Sequence, residues 1–169
     1  MTSAQLLTDA FDRIRQQVHR TVGGLTPAQL AYRVDPGANS IAWLVWHLTR
    51  VQDDHISDVA GTAQAWTDGG WADRFGLPLD PSDTGYGHSS DQVAAVQVDS
   101  PDLLIGYYDA AHAATAEYVG SVTDADLGRI VDRSWNPPVT LGVRLVSVVS
   151  DCTEHVGQAA FVRGVLQRA

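Results

Sequence analysis

The sequence predicts an all-α fold in which four long helices enclose one core. Apolar residues recur at three-to-four-residue spacing in four stretches, near 3–22, 40–60, 101–122 and 141–167. This period places the apolar side chains on one face of an α-helix. The segments between these stretches contain the Gly and Pro residues that interrupt helices. We therefore expect four long helices joined by irregular connections.

The length and composition are those of one globular domain. A chain of 169 residues can bury a sizeable core, so we expect a single domain over residues 1–169. Hydrophobic residues make up 44% of the chain and charged residues 18%, as in soluble proteins. No run approaches a transmembrane length, and the N-terminus lacks the features of a signal peptide. These observations predict a cytoplasmic protein.

The charge of the chain argues against two classes of partner. The formal net charge is −9, and all 11 basic residues are Arg, without a basic cluster. Nucleic acids and anionic membranes are bound by concentrated positive charge. We therefore expect neither nucleic acid nor membrane as a partner.

The chain has one cysteine, Cys152. It cannot form an internal disulfide, which fits a reducing compartment. Cys152 is either a reactive thiol or a small core residue, and its place in the apolar period of the last helix favours the core. We do not assign it as a nucleophile.

The first long helix should end at the glycine pair Gly23 and Gly24. The following segment, LTPAQLAYRVDPGANS, contains two prolines and a glycine. We expect a short helical turn at 27–30 and then a loop that can roof a site.

The second long helix can be capped by Asn39 or Ser40. His47 lies inside its otherwise apolar run, and Arg50 follows about one turn later. A buried imidazole needs a hydrogen-bond partner or a metal, so His47 is either a satisfied core residue or a ligand. Arg50 either faces a cavity, where a guanidinium can bind a carboxylate, or pairs with an acid on the surface.

A long connection, rich in Gly, Pro, Trp and Asp, follows Gly61. Connections of this length in a compact domain are usually functional, so this one is a candidate lid. Trp71, Arg74 and His88 combine aromatic surface with polar groups, as ligand pockets do. The aromatic residues could equally pack against the helices, and His88 could be a fourth metal ligand or lie exposed to solvent. The length also allows the two flanking helices to run parallel.

The third long helix begins with a strong start signal, since Pro101 follows Ser100 and takes the first helical position. A short helix is predicted before it, up to about Val96. After it we expect a brief helix over 123–130 and a proline-containing loop that leads to the last helix.

The fourth long helix can be capped by Thr140 and carries Asp151 and His155. These two residues are four apart, so they lie one turn apart on the same side of the helix. Together with His47 they would provide one carboxylate and two imidazoles, a set suited to a divalent transition metal with positions left open. An Asp and a His at this spacing are also a common helix-surface pair, and no HExxH or CxxC motif fixes a metal geometry.

The stretches AWLVWHLTRVQDDH, with His47, and SDCTEHVGQ, with Asp151 and His155, resemble the DinB/YfiT-like metalloenzyme family. Members carry one His in the second helix of a four-helix bundle, and an HxxxH pair, or an acid in place of its first His, in the fourth. The resemblance covers nearly the whole chain. It implies a DinB-type bundle with up-down-down-up order, a long crossover between the second and third helices, and these three residues as metal ligands.

With an acid at position 151, the chain resembles the mycothiol-dependent maleylpyruvate isomerases. In those enzymes the matching ligand is a Glu rather than an Asp. Zinc and nickel are both compatible with these ligand types, and the resemblance implies mycothiol as cosubstrate. The expected activity is a metal-dependent thiol S-transferase or a thiol-dependent isomerase acting on a small electrophile. A metal-dependent hydrolase and a non-enzymatic small-molecule-binding or stress protein are alternatives.

No catalytic side chain beyond the ligands is identified from the sequence. A homodimer is a candidate assembly. The candidate substrate-binding residues are Arg50, Trp71, Arg74, His88, Arg144 and Gln158.

Overall fold

The computed structural model describes residues 1–168, and the helical content confirms the all-α class. The four long helices are α1 (Ser3–Val22), α3 (Ile41–Ala60), α7 (Pro101–Ser121) and α8 (Leu141–Leu166). Four short helices are α2 (Pro27–Leu30), α4 (Ala65–Asp68), α5 (Trp71–Phe75) and α6 (Ser90–Ala95). A 3₁₀ turn (Asp126–Gly128) and two short strands, β1 (Ile130–Asp132) and β2 (Val139–Thr140), precede α8.

The long helices begin where the sequence offers a capping side chain. The Ser40 hydroxyl accepts a hydrogen bond from the Trp43 backbone N–H at the start of α3, at 3.1 Å. Ser100 and Thr140 cap α7 and α8 in the same way. Each cap satisfies one of the backbone donors that a helix start leaves unpaired. Gly61 ends α3 in the left-handed conformation, with φ of 69°, which favours glycine.

The long helices pack in a closed ring around the core. Helix α3 packs against α7 and α8, and α1 packs against the same two. Trp46, Leu48 and Tyr107 are among the large side chains that this packing buries almost completely. Burial of such apolar surface is the main stabilising term of the fold.

The connection between α3 and α7 is attached to the long helices by buried hydrogen bonds. The Asp53 carboxylate of α3 accepts the backbone N–H groups of Ala65 (2.9 Å) and Trp66 (2.8 Å) at the start of α4. It also accepts the hydroxyl of Tyr107 from α7, at 2.9 Å. One buried carboxylate therefore joins α3, α4 and α7.

The prediction of a brief helix over 123–130 was wrong. Only a 3₁₀ turn forms there, and β1 pairs with β2 in an antiparallel ladder. Ile130 pairs with Thr140 and Asp132 with Val139 across this ladder. The β-branched residues Ile130 and Val131 favour extended backbone. The predicted exclusion of helix by the two prolines is confirmed, since no residue between β1 and β2 is helical.

Candidate metal centre

His47 lies on the buried side of α3 and is 6% exposed. Its ring stacks on the indole of Trp43, with centroids 4.6 Å apart and planes inclined by 17°. The Nδ1 nitrogen contacts the backbone carbonyl of Thr84. A carbonyl only accepts hydrogen bonds, so Nδ1 carries the proton and the Nε2 lone pair is free.

The environment of His47 favours the neutral ring. Burial is the largest influence and lowers its pKa from 6.5. The Thr84 carbonyl raises the pKa, His155 lowers it and Asp151 raises it, in that order of size. The net effect is a lowered pKa, and the neutral imidazole is the form that binds a metal.

Asp151 and His155 occupy successive turns of α8. The Nε2 atom of His155 lies 3.6 Å from Oδ1 of Asp151. Its Nδ1 atom lies 2.9 Å from Oε1 of Gln158 and donates to it. Nε2 is therefore again the free nitrogen, and the ring centroid lies 4.9 Å from that of His47.

The structure brings the three residues together. One candidate ligand atom from each of His47, Asp151 and His155 lies within 4.8 Å of the other two. The Oδ2 atom of Asp151 is buried and accepts no hydrogen bond among the described residues. An unpaired buried carboxylate oxygen is costly, and a cation bound beside it would remove that cost. Two imidazole nitrogens and a carboxylate thus fit a divalent transition metal.

The cluster is closed on one side and open on the other. The side chains of Asp151 and His155 are 33% and 19% exposed. Asp151 borders a pocket of about 620 Å³ along α8, which Val143, Val146 and Glu154 also line. A ligand can therefore approach from the α8 side, while the Trp43 ring covers the inner side.

Arg50 lies one turn after His47 but is 1% exposed. Its guanidinium donates to the backbone carbonyl of Asp83 (3.1 Å) and to Oε1 of Gln64 (2.8 Å). It also donates to the hydroxyl of Tyr107, at 3.3 Å. These contacts join α3 to the connection between α3 and α7. They leave Arg50 no exposed surface for a substrate, whereas the sequence allowed it to face a cavity.

Trp71 and Arg74 lie on α5, against α7. The Trp71 ring packs on Gly106, where a Cβ atom would come within 2.6 Å of it. The Arg74 guanidinium lies 4.5 Å over the centroid of the Trp71 ring. The structure thus shows this tryptophan packing against a long helix, and a role for the pair in substrate binding stays a prediction.

Arg144 lies on α8, seven residues before Asp151. It donates to Asp132 at 2.9 Å and contacts Nδ1 of His55 at 3.0 Å. These groups line a polar pocket of about 430 Å³ together with Asp54. Arg144 and Gln158 are the predicted substrate residues that flank the cluster on α8, and their roles remain predictions.

His88 belongs to a contact network that the sequence did not indicate. Its side chain is 3% exposed, and its Nε2 atom lies 2.8 Å from Oδ2 of Asp83. Its Nδ1 atom accepts the indole N–H of Trp43, at 3.0 Å. Both ring nitrogens are engaged, so His88 is neither exposed nor free to be a fourth ligand. The Thr84 carbonyl was also missed, because a backbone group carries no residue-type signal.

Cys152 is fully buried, as predicted for a core residue. Burial raises the pKa of its thiol well above 9.0, with a further contribution from Asp151. Its sulfur lies 3.5 Å from the carbonyl oxygen of Leu48. A thiol with a raised pKa and no exposure is a poor nucleophile.

The chain is similar to a known protein family and to a solved structure. The family model described as Mycothiol-S-transferase matches residues 6–168. A solved structure described as the conserved protein of locus from Enterococcus faecalis is similar, with a TM-score of 0.90 and 32% sequence identity over 96% of each chain. No curated protein matches this chain.

Proposed function

Since this chain belongs to the mycothiol-S-transferase family, we propose that it transfers the sulfur of a low-molecular-weight thiol, mycothiol, to a small electrophile. In this proposal a divalent metal is held by His47, Asp151 and His155. The observation that carries the proposal is the approach of three ligand atoms to within 4.8 Å of one another. The unpaired Oδ2 of Asp151 supports a cation there. Zinc and nickel both suit this donor set.

When bound, a divalent cation supplies Lewis acidity, which lowers the pKa of a coordinated thiol from about 8.5, so that the thiolate predominates at neutral pH. The protein's own residues prepare this centre. His47 and His155 both present Nε2, because their Nδ1 protons are donated to the Thr84 carbonyl and to Gln158. Asp151 adds a negative charge that favours a cation.

The open side of the centre would receive the electrophile. Val143 and Val146 provide apolar surface in the pocket along α8, and Glu154 and Ser150 provide polar groups at its edge. A small molecule with an apolar body and one reactive carbon matches this lining. The sulfur would bond to that carbon while the leaving group departs with its electron pair, and the thiol proton passes to solvent.

Elemental analysis tests the metal, and thiol consumption tests the transfer. We expect the wild-type protein to carry about one equivalent of metal. His47→Ala and His155→Ala should lose both metal and turnover, because two remaining ligands hold an ion weakly. His112→Ala is the matched control, since His112 lies on α7 beside Asp12. It should keep both.

Turnover is assayed with mycothiol, glutathione and cysteine against a panel of electrophiles. Tight stoichiometric binding without turnover in the metal-loaded protein would replace the transferase by a sequestering protein. Product formation without any thiol would replace it by a hydrolase. Normal metal content in His47→Ala would overturn the ligand assignment.

We further infer that residues 1–169 form one domain, a DinB-type four-helix bundle with up-down-down-up order. The ring of contacts among α1, α3, α7 and α8 supports this, as does the long connection between α3 and α7. The homodimer considered from the sequence stays a prediction, and light scattering in solution can measure the oligomeric state.

None of the described helices has the length and hydropathy of a membrane span.

A further inference from the structure

The segment Asp83–His88 contacts α3 at three points. The Thr84 carbonyl accepts from Nδ1 of His47. One residue earlier, the Asp83 carbonyl accepts from Nε of Arg50, at 3.1 Å. At the other end of the segment, His88 accepts from Trp43. The contact to the candidate ligand thus lies between two other attachments.

These attachments have a fixed direction. The indole N–H of Trp43 can only donate, so Nδ1 of His88 must accept, and the His88 proton lies on Nε2. That proton is donated to Oδ2 of Asp83, at 2.8 Å. The other carboxylate oxygen of Asp83 accepts the backbone N–H of Gly85, at 2.8 Å. Each group in this series of hydrogen bonds therefore has a fixed role, because the other tautomer of His88 would place two donors face to face at Trp43 and two acceptors face to face at Asp83.

Gly85 allows the segment to approach the His47 ring. Its φ is 91°, a conformation that side chains other than glycine rarely adopt. A Cβ atom there would lie 2.8 Å from Nδ1 of His47 and 3.0 Å from the Trp46 ring. Gly87 in the same segment has φ of 74°, but its Cβ would meet nothing within 4 Å. Only Gly85 is constrained by the histidine.

We propose that Asp83, Gly85 and His88 are positioning residues that hold the Thr84 carbonyl against Nδ1 of His47, so that Nε2 faces Asp151 and His155. This inference rests on the proposed metal centre. Outer partners that orient a ligating imidazole in this way influence metal affinity strongly. The role of His88 is indirect, because its ring is buried and both of its nitrogens are hydrogen-bonded, to Asp83 and to Trp43. It contacts neither metal nor substrate.

The first test compares Asp83→Asn with Asp80→Asn. An amide at position 83 has one acceptor oxygen for two donors, the Gly85 N–H and the His88 ring. We expect the affinity for Zn²⁺ and Co²⁺ to fall about 10- to 100-fold. Asp80 also accepts a backbone N–H from two residues ahead, Ser82, at 2.8 Å, but it is exposed in the preceding turn. Asp80→Asn should keep wild-type affinity.

The second test compares Gly85→Ala with Gly87→Ala. Both substitutions place a side chain at positive φ, so both should lower the unfolding temperature of the metal-free protein. Gly85→Ala alone should also weaken Zn²⁺ and Co²⁺ binding and change the visible spectrum of the Co²⁺ protein. Equal affinities in the two alanine variants would overturn the inference.

A third readout needs no metal. Nitrogen-15 NMR of the metal-free protein should show the His47 ring protonated on Nδ1, and a mixture of tautomers in Asp83→Asn and in His88→Phe. An unchanged tautomer in both variants would overturn the positioning role. If the wild-type protein binds no metal, the proposed function fails, yet the tautomer measurement still decides whether this segment orients His47.

Discussion

At the scale of single residues, the candidate centre depends on which nitrogen of each histidine is free. His47 and His155 come from different helices, yet each donates its Nδ1–H to an oxygen of another residue. In one case the acceptor is a backbone carbonyl from a distant loop, and in the other it is Gln158 on the next turn. Gln158, considered from the sequence as a substrate residue, is therefore placed to orient His155, a candidate ligand.

Cys152 lies next in sequence to Asp151 but takes no part in the proposed chemistry. We predict that Cys152→Ala keeps metal and turnover, because its thiol is fully buried and its pKa is raised by burial. Removing a buried sulfur should cost on the order of 1 kcal/mol of unfolding free energy. Urea denaturation and thiol consumption measure the two effects. Loss of turnover with normal metal content would indicate a covalent cysteine route instead.

We predict that His112 makes the stability of the fold depend on pH. Burial is the main cause that lowers its pKa from 6.5, and Asp12, 2.9 Å away, opposes the shift. Below 6.5 the unfolded chain binds a proton at this position that the folded protein resists. The contribution to stability is therefore complete above that pH and is lost as pH falls through the folded pKa.

The measurement is the unfolding free energy of the metal-free protein between about pH 7 and pH 5. Wild-type stability should fall with pH over this range. His112→Gln cannot take up a proton, so its stability should fall less steeply. A slope equal to that of the wild type would show that other groups cause the dependence.

At the scale of elements, buried polar groups attach the long connection to the helices. Asp53 does this most directly, since its carboxylate accepts from Ala65, Trp66 and Tyr107. Helix α4 has four residues and cannot be stable by itself. Its position therefore depends on tertiary contacts such as these.

We predict that Asp53→Asn destabilises the protein by on the order of 2 kcal/mol, because the amide replaces one acceptor oxygen by a donor that faces other donors. Asp58→Asn on the same helix is the control, since Asp58 is exposed. It should change stability little. Urea denaturation, followed by tryptophan fluorescence, compares the two, and equal losses would contradict the role of Asp53.

At the scale of the whole molecule, one side chain of the last long helix caps the end of the first, against which that helix also packs. The Nη1 atom of Arg163 on α8 donates to the carbonyls of Arg20 (2.8 Å), Thr21 (2.8 Å) and Gly23 (3.0 Å). The last carbonyls of a helix have no partner within it, so this guanidinium caps α1 from a distance of 140 residues or more in sequence.

We predict that Arg163→Ala lowers the unfolding free energy by about 1–2 kcal/mol, because these carbonyls lose a charged donor. Arg13→Ala is the comparison. Arg13 pairs with Asp9 on its own helix and is 71% exposed, so its loss should change stability little. Thermal and urea unfolding would measure both, and a similar loss in the two variants would argue against the cap.

The four long helices could be predicted because their signals are local. Apolar period, a capping Ser or Thr and a terminal Gly act within a few residues, and the observed bounds agree with the predicted ones within about two residues. The short strands were missed for the opposite reason. Ile130 and Thr140 pair across a loop, and a three-residue strand has too short a pattern to distinguish it from helix.

The sequence by itself determined the helices, the buried position of Cys152 and the chemical types in the candidate centre, since each depends on residue identity and spacing along one helix. The tertiary structure alone decided that atoms of His47 and of the Asp151 and His155 pair lie within 4.8 Å of one another. It also decided which nitrogen of His47 is free, because the acceptor is the backbone carbonyl of Thr84. A backbone carbonyl is the same in every residue, so only the folded path of the chain can place it there.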